Sequence, residues 1–316
     1  MKLSFVIPCY RSEHTIGKVV SKIQSTIRKD DECEIILVND CSPDNTFGVI
    51  KDLCKKWDNV KGVSLAKNFG QHAALMAGFR HVAGDIIVCM DDDGQTPPEE
   101  VYKLLEAMDE STDVVYAEYE QKKHSVFRNA GSRINAKMTE YLIGKPKNLF
   151  VSSYFAARRF IIDEIIKYEN PYPYVIGLIL RATKNIKNVK VNHHEREEGQ
   201  SGYSFRKLLR LWLNGFTAFS VKPLRIATAL GLIFAFLGFV YAIYTVINKF
   251  INPNVPVGWS SMMAAFMVIG GCILFMLGLI GEYIGRIYIS INNSPQYVVR
   301  TEIRCGTGDD EKEQDF

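Results

Sequence analysis

The sequence predicts an α/β domain with a mainly parallel sheet, followed by an interfacial helix, two membrane-spanning helices and a polar tail. Short apolar runs alternate with helical patterns over roughly the first 200 residues, and two long uncharged runs follow them. Repeated β–α units imply parallel strands joined by right-handed crossovers. The expected boundaries are 1–203 for the α/β domain, 204–222 for the interfacial helix, 223–289 for the two spans and 290–316 for the tail.

The elements of the α/β domain follow from the spacing of apolar residues. Residues 13–27 place Ile16, Val19, Val20 and Ile23 on one helical face, which is typical of a helix packed on a core. By the same reasoning we expect strands at 3–8, 34–38, 60–65, 85–90 and 113–116, and further helices at 45–56, 71–81 and 98–108.

The two uncharged runs are long enough to cross a bilayer. Residues 226–247 and 262–281 hold no charged side chain over 22 and 20 positions. A spanning helix needs about 20 apolar residues. We therefore expect two spans, at about 226–247 and 262–284.

Basic residues flank the two runs on one side only, because the loop between them holds Lys249 alone. Positive charge stays on the cytoplasmic side, so both termini and the α/β domain are expected in the cytoplasm, with the spans in the cell (inner) membrane. The seven cysteines show no zinc or C-x-x-C spacing, which suits a reducing compartment. The flanking residues are Lys207, Arg210, Lys222, Arg225, Arg286, Arg300 and Arg304.

The stretch before the first span is amphipathic. Leu208, Leu211 and Trp212 lie beside Lys207 and Arg210, a combination that suits a helix lying in the membrane interface. An ordinary packed helix is the alternative. Within the spans, several glycines would permit close helix contacts, so a homo-oligomer stays open. They are Gly231, Gly270, Gly271, Gly278, Gly281 and Gly285.

Three consecutive aspartates, Asp91, Asp92 and Asp93, follow the apolar strand expected at 85–90. In open α/β sheets, ligands bind outside the carboxyl ends of the strands. Hard oxygen ligands at such a place suit Mg²⁺ or Mn²⁺, which are usually held by one or two carboxylates together with substrate phosphates. The alternative is a solvated acidic turn.

Polar residues also follow the first three strands, so four loops are expected to meet at one edge of the sheet. Tyr10 could stack against a base, and the Asp40 carboxylate could accept a hydrogen bond from uracil N3–H. Asp44 precedes a helix and is predicted to form a turn or a cap. The chain has neither G-x-G-x-x-G nor a P-loop, which disfavours a dinucleotide site and a P-loop enzyme.

Five motifs carry a resemblance to a known family. The chain resembles the family 2 (GT-A) glycosyltransferases over about residues 3–300, and it is most similar to the polyprenyl-phosphate branch: dolichol-phosphate mannose synthases and bactoprenol glucosyltransferases. The motifs are VIPCY at 6–10, VNDCSPDNT at 38–46, KNFGQ at 67–71, MDDDGQTPPE at 90–99 and REEGQSGY at 196–203.

The resemblance implies roles for individual residues. Asp91, Asp93 and Arg196 would be catalytic, and Asp91 and Asp93 would hold the metal with Gln95. The nucleotide sugar would lie against Pro8, Tyr10, Glu13, Asp40, Lys67, Asp91, Asp92 and Asp93. Arg196 and Ser201 would lie near the acceptor phosphate. Arg128 and Arg133 are further candidates there, because a guanidinium binds phosphate bidentately.

The chain departs from the family pattern in three places. Arg11 and Ser12 follow Tyr10 where the family has Asn-Glu, so whether Glu13 replaces that Glu stays open. Asn39-Asp40-Cys41 stands for the usual Asp-Asp-Gly. Ser152 to Phe155 replaces Asp-Phe-Arg, which leaves a catalytic carboxylate there without a residue to supply it.

The resemblance therefore implies inverting transfer of a sugar from a nucleotide diphosphate sugar, expected to be UDP-linked, to a polyprenyl (undecaprenyl) phosphate. The product would supply lipid-linked sugar for modifying cell-envelope glycans. No nucleic-acid partner is expected. Two alternatives stay open. One is a processive polysaccharide synthase, although the chain lacks the Q-x-x-R-W motif. The other is a non-catalytic membrane-tethered sensor of nucleotide sugars.

Overall fold

The structure is a computed structural model that describes residues 1–119, 145–147, 149–192, 222–251, 258–292 and 294–303. These residues fall in two units, one within Met1–Ser204 and Asn293–Phe316 and the other within Phe205–Asn292. Several sequence-based expectations lie outside the described residues. They are the interfacial helix before residue 222, the end of the tail, and the acceptor-side candidates Arg128, Arg133, Arg196 and Ser201.

The first unit is built around an eight-stranded sheet with the order β7-β5-β6-β4-β1-β2-β3-β8. Its strands are β1 Lys2–Cys9, β2 Glu32–Asn39, β3 Val60–Leu65, β4 Ile86–Cys89, β5 Val114–Tyr119, β6 Phe155–Arg158, β7 Ile186–Val191 and β8 Val299–Ile303. Its helices are α1 Ile16–Thr26, α2 Thr46–Lys56, α3 Gln71–Phe79, α4 Val101–Glu106 (preceded by a 3-10 turn, Pro98–Glu100), α5 Arg159–Ile165 and α6 Val175–Ala182.

The central strands are buried on both faces because helices cover both faces. Phe5 and Ile7 of β1 belong to the core that also contains Ile16 and Val20 of α1. The alternate residue Val6 faces α3, where a Cβ on Gly78 would come within 2.5 Å of Val6 Cγ1. The absence of a side chain at Gly78 therefore lets α3 lie close against the sheet, and this positions the start of α3 at the sheet's carboxyl edge.

The predicted strands and helices of the first 120 residues are confirmed, with ends that differ by a few residues. The sheet expected to be mainly parallel is mixed: four neighbouring pairs are parallel, and three are antiparallel, namely β4/β6, β5/β6 and β3/β8. Neither β6 nor β8 follows its neighbour through a short β–α crossover. Long connections precede both strands, and a long connection can return the chain in either direction.

The strand β8 was not predicted from the sequence. It pairs antiparallel with β3, with an irregularity between Ser64 and Leu65. Just before it, the Val298 carbonyl accepts a 2.9 Å hydrogen bond from the Ala66 amide. The C-terminal segment (residues 294–303) therefore completes the sheet that the first residues of the chain begin.

The second unit contains two long helices, α7 Lys222–Ile251 and α8 Trp259–Ile291. Among the described residues, one stretch is long and apolar enough to cross a membrane: Val268–Ile289, with a mean hydropathy of 1.9 and none of it buried. Large apolar side chains such as Phe250 and Leu274 are exposed, at 86% and 71%. This stretch overlaps the span predicted at about 262–284, whereas the span predicted at about 226–247 is not established by the described residues.

Candidate active site

The candidate site lies where the order of the strands reverses. The chain runs from β1 outward to β2 and β3 and then returns to place β4 on the other side of β1. At such a switch point the loops leave in opposite directions and open a crevice at the carboxyl edge. Four loops border it here, after β1 (residues 10–15), β2 (40–45), β3 (66–70) and β4 (90–97).

Hydrogen bonds join these four loops to one another. The Tyr10 amide in the first loop donates to Asp92 Oδ2 in the fourth at 3.0 Å. The Arg11 amide donates to Ser42 Oγ in the second loop at 2.7 Å. The structure thus brings together the loops that carry the predicted donor-side residues.

Asp91 is held at both carboxylate oxygens. Gln71 Nε2 at the start of α3 donates to Oδ1 at 2.9 Å, and the Ser153 hydroxyl, just before β6, donates to Oδ2. Burial raises the pKa of Asp91 to about 6, and the neighbouring charges of Asp93 and Asp92 add to this increase. A cation beside Asp91 would reverse the shift, because it would favour the ionised carboxylate.

Asp92 points away from Asp91 and toward the first loop. Its Oδ2 accepts hydrogen bonds from the Tyr10 amide, at 3.0 Å, and from the Ser12 hydroxyl. Burial raises the pKa of this carboxyl group as well. Asp92 joins the first and fourth loops, and its predicted contact with the nucleotide stays a prediction.

Asp93 lies in a tight turn. Its Oδ1 accepts a 3.1 Å hydrogen bond from the Gln95 amide, and Gly94 between them has a φ of 75°. Glycine adopts this left-handed conformation without steric cost. The turn places the side chains of Asp93 and Gln95 in the same loop as Asp91.

Asp40 is nearly fully buried, with 3% of its surface exposed. Its two carboxylate oxygens accept hydrogen bonds from the amides of Phe69 and Gly70, at 2.7 and 2.8 Å. Burial raises its pKa even though these hydrogen bonds oppose the change. Asp40 therefore fixes the third loop, while each carboxylate oxygen keeps a further lone pair for a ligand.

The other donor-side candidates differ in exposure. Tyr10 is 43% exposed, and the Arg11 guanidinium lies 5.6 Å from the centre of its ring. Lys67 is exposed, with Nζ 4.9 Å from the Phe69 ring centre. Pro8 is buried within β1, opposite Val38.

Glu13 and Asp44 bind each other's loops. Glu13 Oε2 accepts a 2.9 Å hydrogen bond from the Asn45 amide, and the Glu13 amide donates to Asp44 Oδ2 at 3.4 Å. Asp44 also accepts hydrogen bonds from the amide and hydroxyl of Thr46 at the start of α2. The predicted turn or cap at Asp44 is confirmed, and Glu13 joins the first loop to the second.

Two of these loops contain non-glycine residues with positive φ: Arg11 at 60° and Cys41 at 49°. Such conformations cost of order 1–3 kcal/mol and occur where a functional loop demands them. The sequence offered one signal of the positive φ at Cys41. The related family has glycine where this chain has Cys41, and glycine adopts a positive φ freely.

Comparison with known protein families identifies the domain that carries this site. Residues 4–166, which carry every loop described above, match the model of glycosyl transferase family 2. The chain belongs to this family. It is an enzyme, a glycosyltransferase. Residues 222–287 match a second model, described as the GtrB C-terminal hairpin.

Relatives of this glycosyltransferase match it along nearly its whole length. It is 32% identical over 308 residues to undecaprenyl-phosphate 4-deoxy-4-formamido-L-arabinose transferase of Klebsiella pneumoniae (strain 342), covering 96% of this chain and 94% of the relative. The protein of the same name from Proteus mirabilis (strain HI4320) is also 32% identical, over 319 residues, covering 99% of this chain and 98% of the relative.

Solved structures share the fold of the glycosyltransferase. Glucosyl-3-phosphoglycerate synthase from Mycobacterium tuberculosis, in complex with Mn²⁺ and UDP-glucose, superimposes with a TM-score of 0.52 at 18% identity. The match covers 68% of this chain and 77% of the synthase chain. This likeness supports the GT-A fold predicted from the sequence.

The carboxylates of this glycosyltransferase site suit a divalent metal ion that the protein and the substrate would coordinate together. Within the described residues, no three His, Cys, Asp or Glu side chains are grouped so that they could hold a metal ion alone. Mg²⁺ and similar ions are usually bound by one or two carboxylates together with substrate phosphates. Asp91 and Asp93 supply two carboxylates, and burial together with the neighbouring aspartates raises the pKa of Asp91.

Sequence reasoning missed two residues of this glycosyltransferase site. Gln71 belongs to the quoted KNFGQ motif, but no role was assigned to it. Ser153 lies where the family pattern has Asp-Phe-Arg, and the structure places its hydroxyl on Asp91. Only the three-dimensional fold shows that both side chains hold one carboxylate.

A half-buried histidine, His72, follows Gln71 in the chain. The His72 ring contacts the edge of the Tyr174 ring, with centroids 5.0 Å apart. Burial lowers the pKa of His72 to about 4, so its imidazole is neutral at physiological pH. His72 therefore anchors the start of α3 by packing against the segment before α6.

Proposed function

We propose that this glycosyltransferase transfers a sugar from a nucleotide diphosphate sugar, UDP-linked, to undecaprenyl phosphate or a similar polyprenyl phosphate. The proposal rests chiefly on the Asp91–Asp93 carboxylates at the switch point of a family 2 domain. Its full-length relatives are named as undecaprenyl-phosphate sugar transferases. The lipid-linked product would serve modification of the cell envelope.

On the donor side, the four joined loops would hold the nucleotide sugar. The exposed ring of Tyr10 is available to stack on the base, and the buried Asp40 carboxylate could accept a hydrogen bond from uracil N3–H. Asp91 and Asp93, with Gln95, would hold Mg²⁺ or Mn²⁺. When bound, the ion would offset the negative charge of the departing nucleoside diphosphate.

On the acceptor side, the chemistry needs no strong general base. A phosphomonoester has a second pKa near 6, so a lipid phosphate is largely a dianion at pH 7. Its oxygen would form a bond to the anomeric carbon as the bond from that carbon to the diphosphate breaks, which inverts the configuration. The presence of Ser153 supports a reaction without a general base. It lies beside Asp91, in the stretch where the family pattern has an aspartate.

Arg196 and Ser201 remain the proposed contacts of the acceptor phosphate, with Arg128 and Arg133 as further candidates. Arg196→Ala should raise the Michaelis constant for lipid about tenfold to a hundredfold, the effect of losing a charge-assisted hydrogen bond. Arg196→Lys should restore only part of this, since an ammonium cannot bind bidentately. Weaker UDP binding with an unchanged lipid constant would place Arg196 on the donor side instead.

We further propose that α7 and α8 both span the membrane and that the α/β unit lies in the cytoplasm. The pairing of β8 with β3 supports an even number of crossings. The chain leaves the α/β unit before α7 and belongs to the same unit again at β8, so it has to end on the side of the membrane where it began. The apolar stretch Val268–Ile289 alone would make the number odd.

The topology can be tested with impermeant thiol reagents on intact cells. Gly258→Cys, at the start of α8, should be labelled, whereas Arg300→Cys, exposed on β8, should not. The unsubstituted chain gives the background from the native cysteines. Labelling of Arg300→Cys but not of Gly258→Cys would overturn the cytoplasmic site and the nucleotide-sugar donor with it.

The activity can be tested with full-length protein in detergent or nanodiscs. A panel of radiolabelled nucleotide sugars, including a 4-deoxy-4-formamido-L-arabinose donor, is offered with undecaprenyl phosphate and Mg²⁺ or Mn²⁺. We expect one sugar to appear on the lipid and the product to vanish when EDTA is added. Polymer formation without lipid product would favour a polysaccharide synthase.

A further inference from the structure

The C-terminal segment (residues 294–303) contacts two parts of the α/β unit. Each of these parts is connected, through the start of α3, to the residue that binds Asp91. We propose that this segment is a positioning element of the donor site, with Gln296 as its anchoring residue. The inference rests on the proposed function, since it concerns the loops that would hold the nucleotide sugar. It extends that function to the part of the chain that follows the helical hairpin.

The first route runs through the third loop (residues 66–70). The Ala66 amide, at the beginning of this loop, donates a 2.9 Å hydrogen bond to the Val298 carbonyl. At the other end of the loop, the amides of Phe69 and Gly70 bind the Asp40 carboxylate. The next residue, Gln71, holds Asp91 at 2.9 Å. The loop is thus held by the C-terminal segment at one end and by the candidate site at the other.

The second route runs through the segment before α6. Gln296 is buried, and its Nε2 donates two 3.0 Å hydrogen bonds, to the carbonyls of Tyr168 and Asn170. A few residues later, Tyr174 packs against the His72 ring. His72 follows Gln71 directly, so both routes end at the first turn of α3.

Gln296 is the residue whose substitution best tests the proposal. An amide that donates to two backbone carbonyls fixes both the C-terminal segment and the 168–170 backbone. Methionine has a similar length and no donor, so Gln296→Met removes both hydrogen bonds and adds no charge. Arg300→Met, at an exposed position on β8, is the matched control.

Enzyme kinetics on the full-length protein provide the first test. Gln296→Met should raise the Michaelis constant for the nucleotide sugar about tenfold, the effect of one or two hydrogen bonds. The constant for the lipid acceptor should stay unchanged, and Arg300→Met should behave like the unsubstituted protein. A lower melting temperature of Gln296→Met with an unchanged Michaelis constant for the nucleotide sugar would show that the segment has only a structural role. That result would overturn the proposal.

Hydrogen–deuterium exchange provides a second test that needs no turnover and no substitution. Coupling between two sites is reciprocal, so UDP with Mn²⁺ should slow amide exchange in 294–303 as well as in 66–72. Peptides from β7 should be unaffected. Protection of 66–72 without any change in 294–303 would overturn the coupling.

The two tests also separate this inference from the proposed function. If no nucleotide sugar is used and UDP does not bind, the proposed function fails. The inference is then decided by exchange in the ligand-free protein. Faster exchange of the Ala66, Phe69 and Gly70 amides in Gln296→Met than in Arg300→Met supports it, and equal exchange in the two variants overturns it.

Discussion

Acidic side chains lie at opposite ends of the same sheet and differ in their neighbours. At the amino end, Glu34 of β2 binds Lys61 Nζ at 2.6 Å and Ser4 Oγ at 2.5 Å. At the carboxyl end, Asp91 and Asp92 neighbour a third aspartate, and in the described part of the chain neither pairs with a lysine or arginine. The charge of Glu34 is thus compensated by Lys61, whereas Asp91 and Asp92 have no basic partner among the described residues.

The pKa values follow this difference. Burial alone would raise the pKa of Glu34, but the hydrogen bonds from Lys61, Ser4 and the Ala83 amide outweigh it and hold the pKa below its ordinary value. Burial and the neighbouring aspartates raise the pKa of Asp91. The lowered pKa of Glu34 reflects an ion pair inside the fold, whereas the raised pKa of Asp91 is the kind of shift that clusters at functional sites and agrees with the proposed metal site.

The largest effect should come from removing a carboxylate at the carboxyl end. Asp93→Asn should lower transfer at least about a hundredfold, because metal-ion charge stabilisation is worth several kcal/mol. The fold should remain intact, since the change removes a negative charge from an acidic cluster. Initial rates at limiting Mn²⁺ measure the effect, with the exposed Asp58→Asn as the control. Near-normal activity would show that the metal assignment is wrong.

The same type of change at the amino end should affect stability instead. Glu34→Gln should lower the free energy of unfolding by about 1.5–3 kcal/mol, the usual value for hydrogen bonds to a charged group. Transfer should be unchanged after correction for folded protein. Thermal unfolding measures this, with the exposed Glu32→Gln on the same strand as the control. An activity loss in Glu34→Gln without a loss of stability would remove the distinction between the two ends of the sheet.

A smaller effect should come from the hydroxyl that holds Asp91. Ser153→Ala should weaken Mn²⁺ affinity in the presence of UDP about tenfold, as expected for a residue that supports a metal ligand. Its neighbour Ser152 donates instead to the carbonyls of Ala117 and Tyr154. Ser152→Ala should therefore lower the melting temperature and leave the metal affinity unchanged. Calorimetric titration measures the Mn²⁺ affinity of both variants. Equal affinities would show that Ser153 does not support the metal site.

The smallest expected effect is a dependence on pH. The folded-state pKa of Glu34 is below the ordinary value of 4.5, so its stabilisation is present above that pH and is lost as pH falls through the folded-state value. The stability difference between the unsubstituted protein and Glu34→Gln should thus be constant near neutral pH and shrink below about pH 4.5. Unfolding curves between pH 3 and 7 test this. A difference that grows on acidification would contradict the sign.

The sequence predicted the parts of the molecule that depend on local pattern. The apolar spacing of α1 and the strand before Asp91 are local properties, and both were found. Asp92 shows the limit of such reasoning. It lies between two expected metal ligands, but its partners are the Tyr10 amide and the Ser12 hydroxyl, 82 and 80 positions earlier in the chain.

Non-local pairing explains the other omissions. Ser153 reaches Asp91 only because β6 runs antiparallel to β4, and nothing in the local sequence sets that direction. The strand β8 is short and contains Arg300 and Glu302, so it resembles a polar tail until it pairs with β3.

The position of β8 has a consequence for the order in which the protein folds. A ribosome makes β8 after the other seven strands and after both long helices. Until then β3 is an edge strand with unpaired amides and carbonyls, which are open to pairing with other chains. The sheet is complete only when β8, which follows the two long helices in the chain, pairs with β3. Under the proposed topology, a chain that crossed the membrane only once would leave that edge unpaired, so correct insertion would be a condition for completing a domain whose other strands are synthesised much earlier.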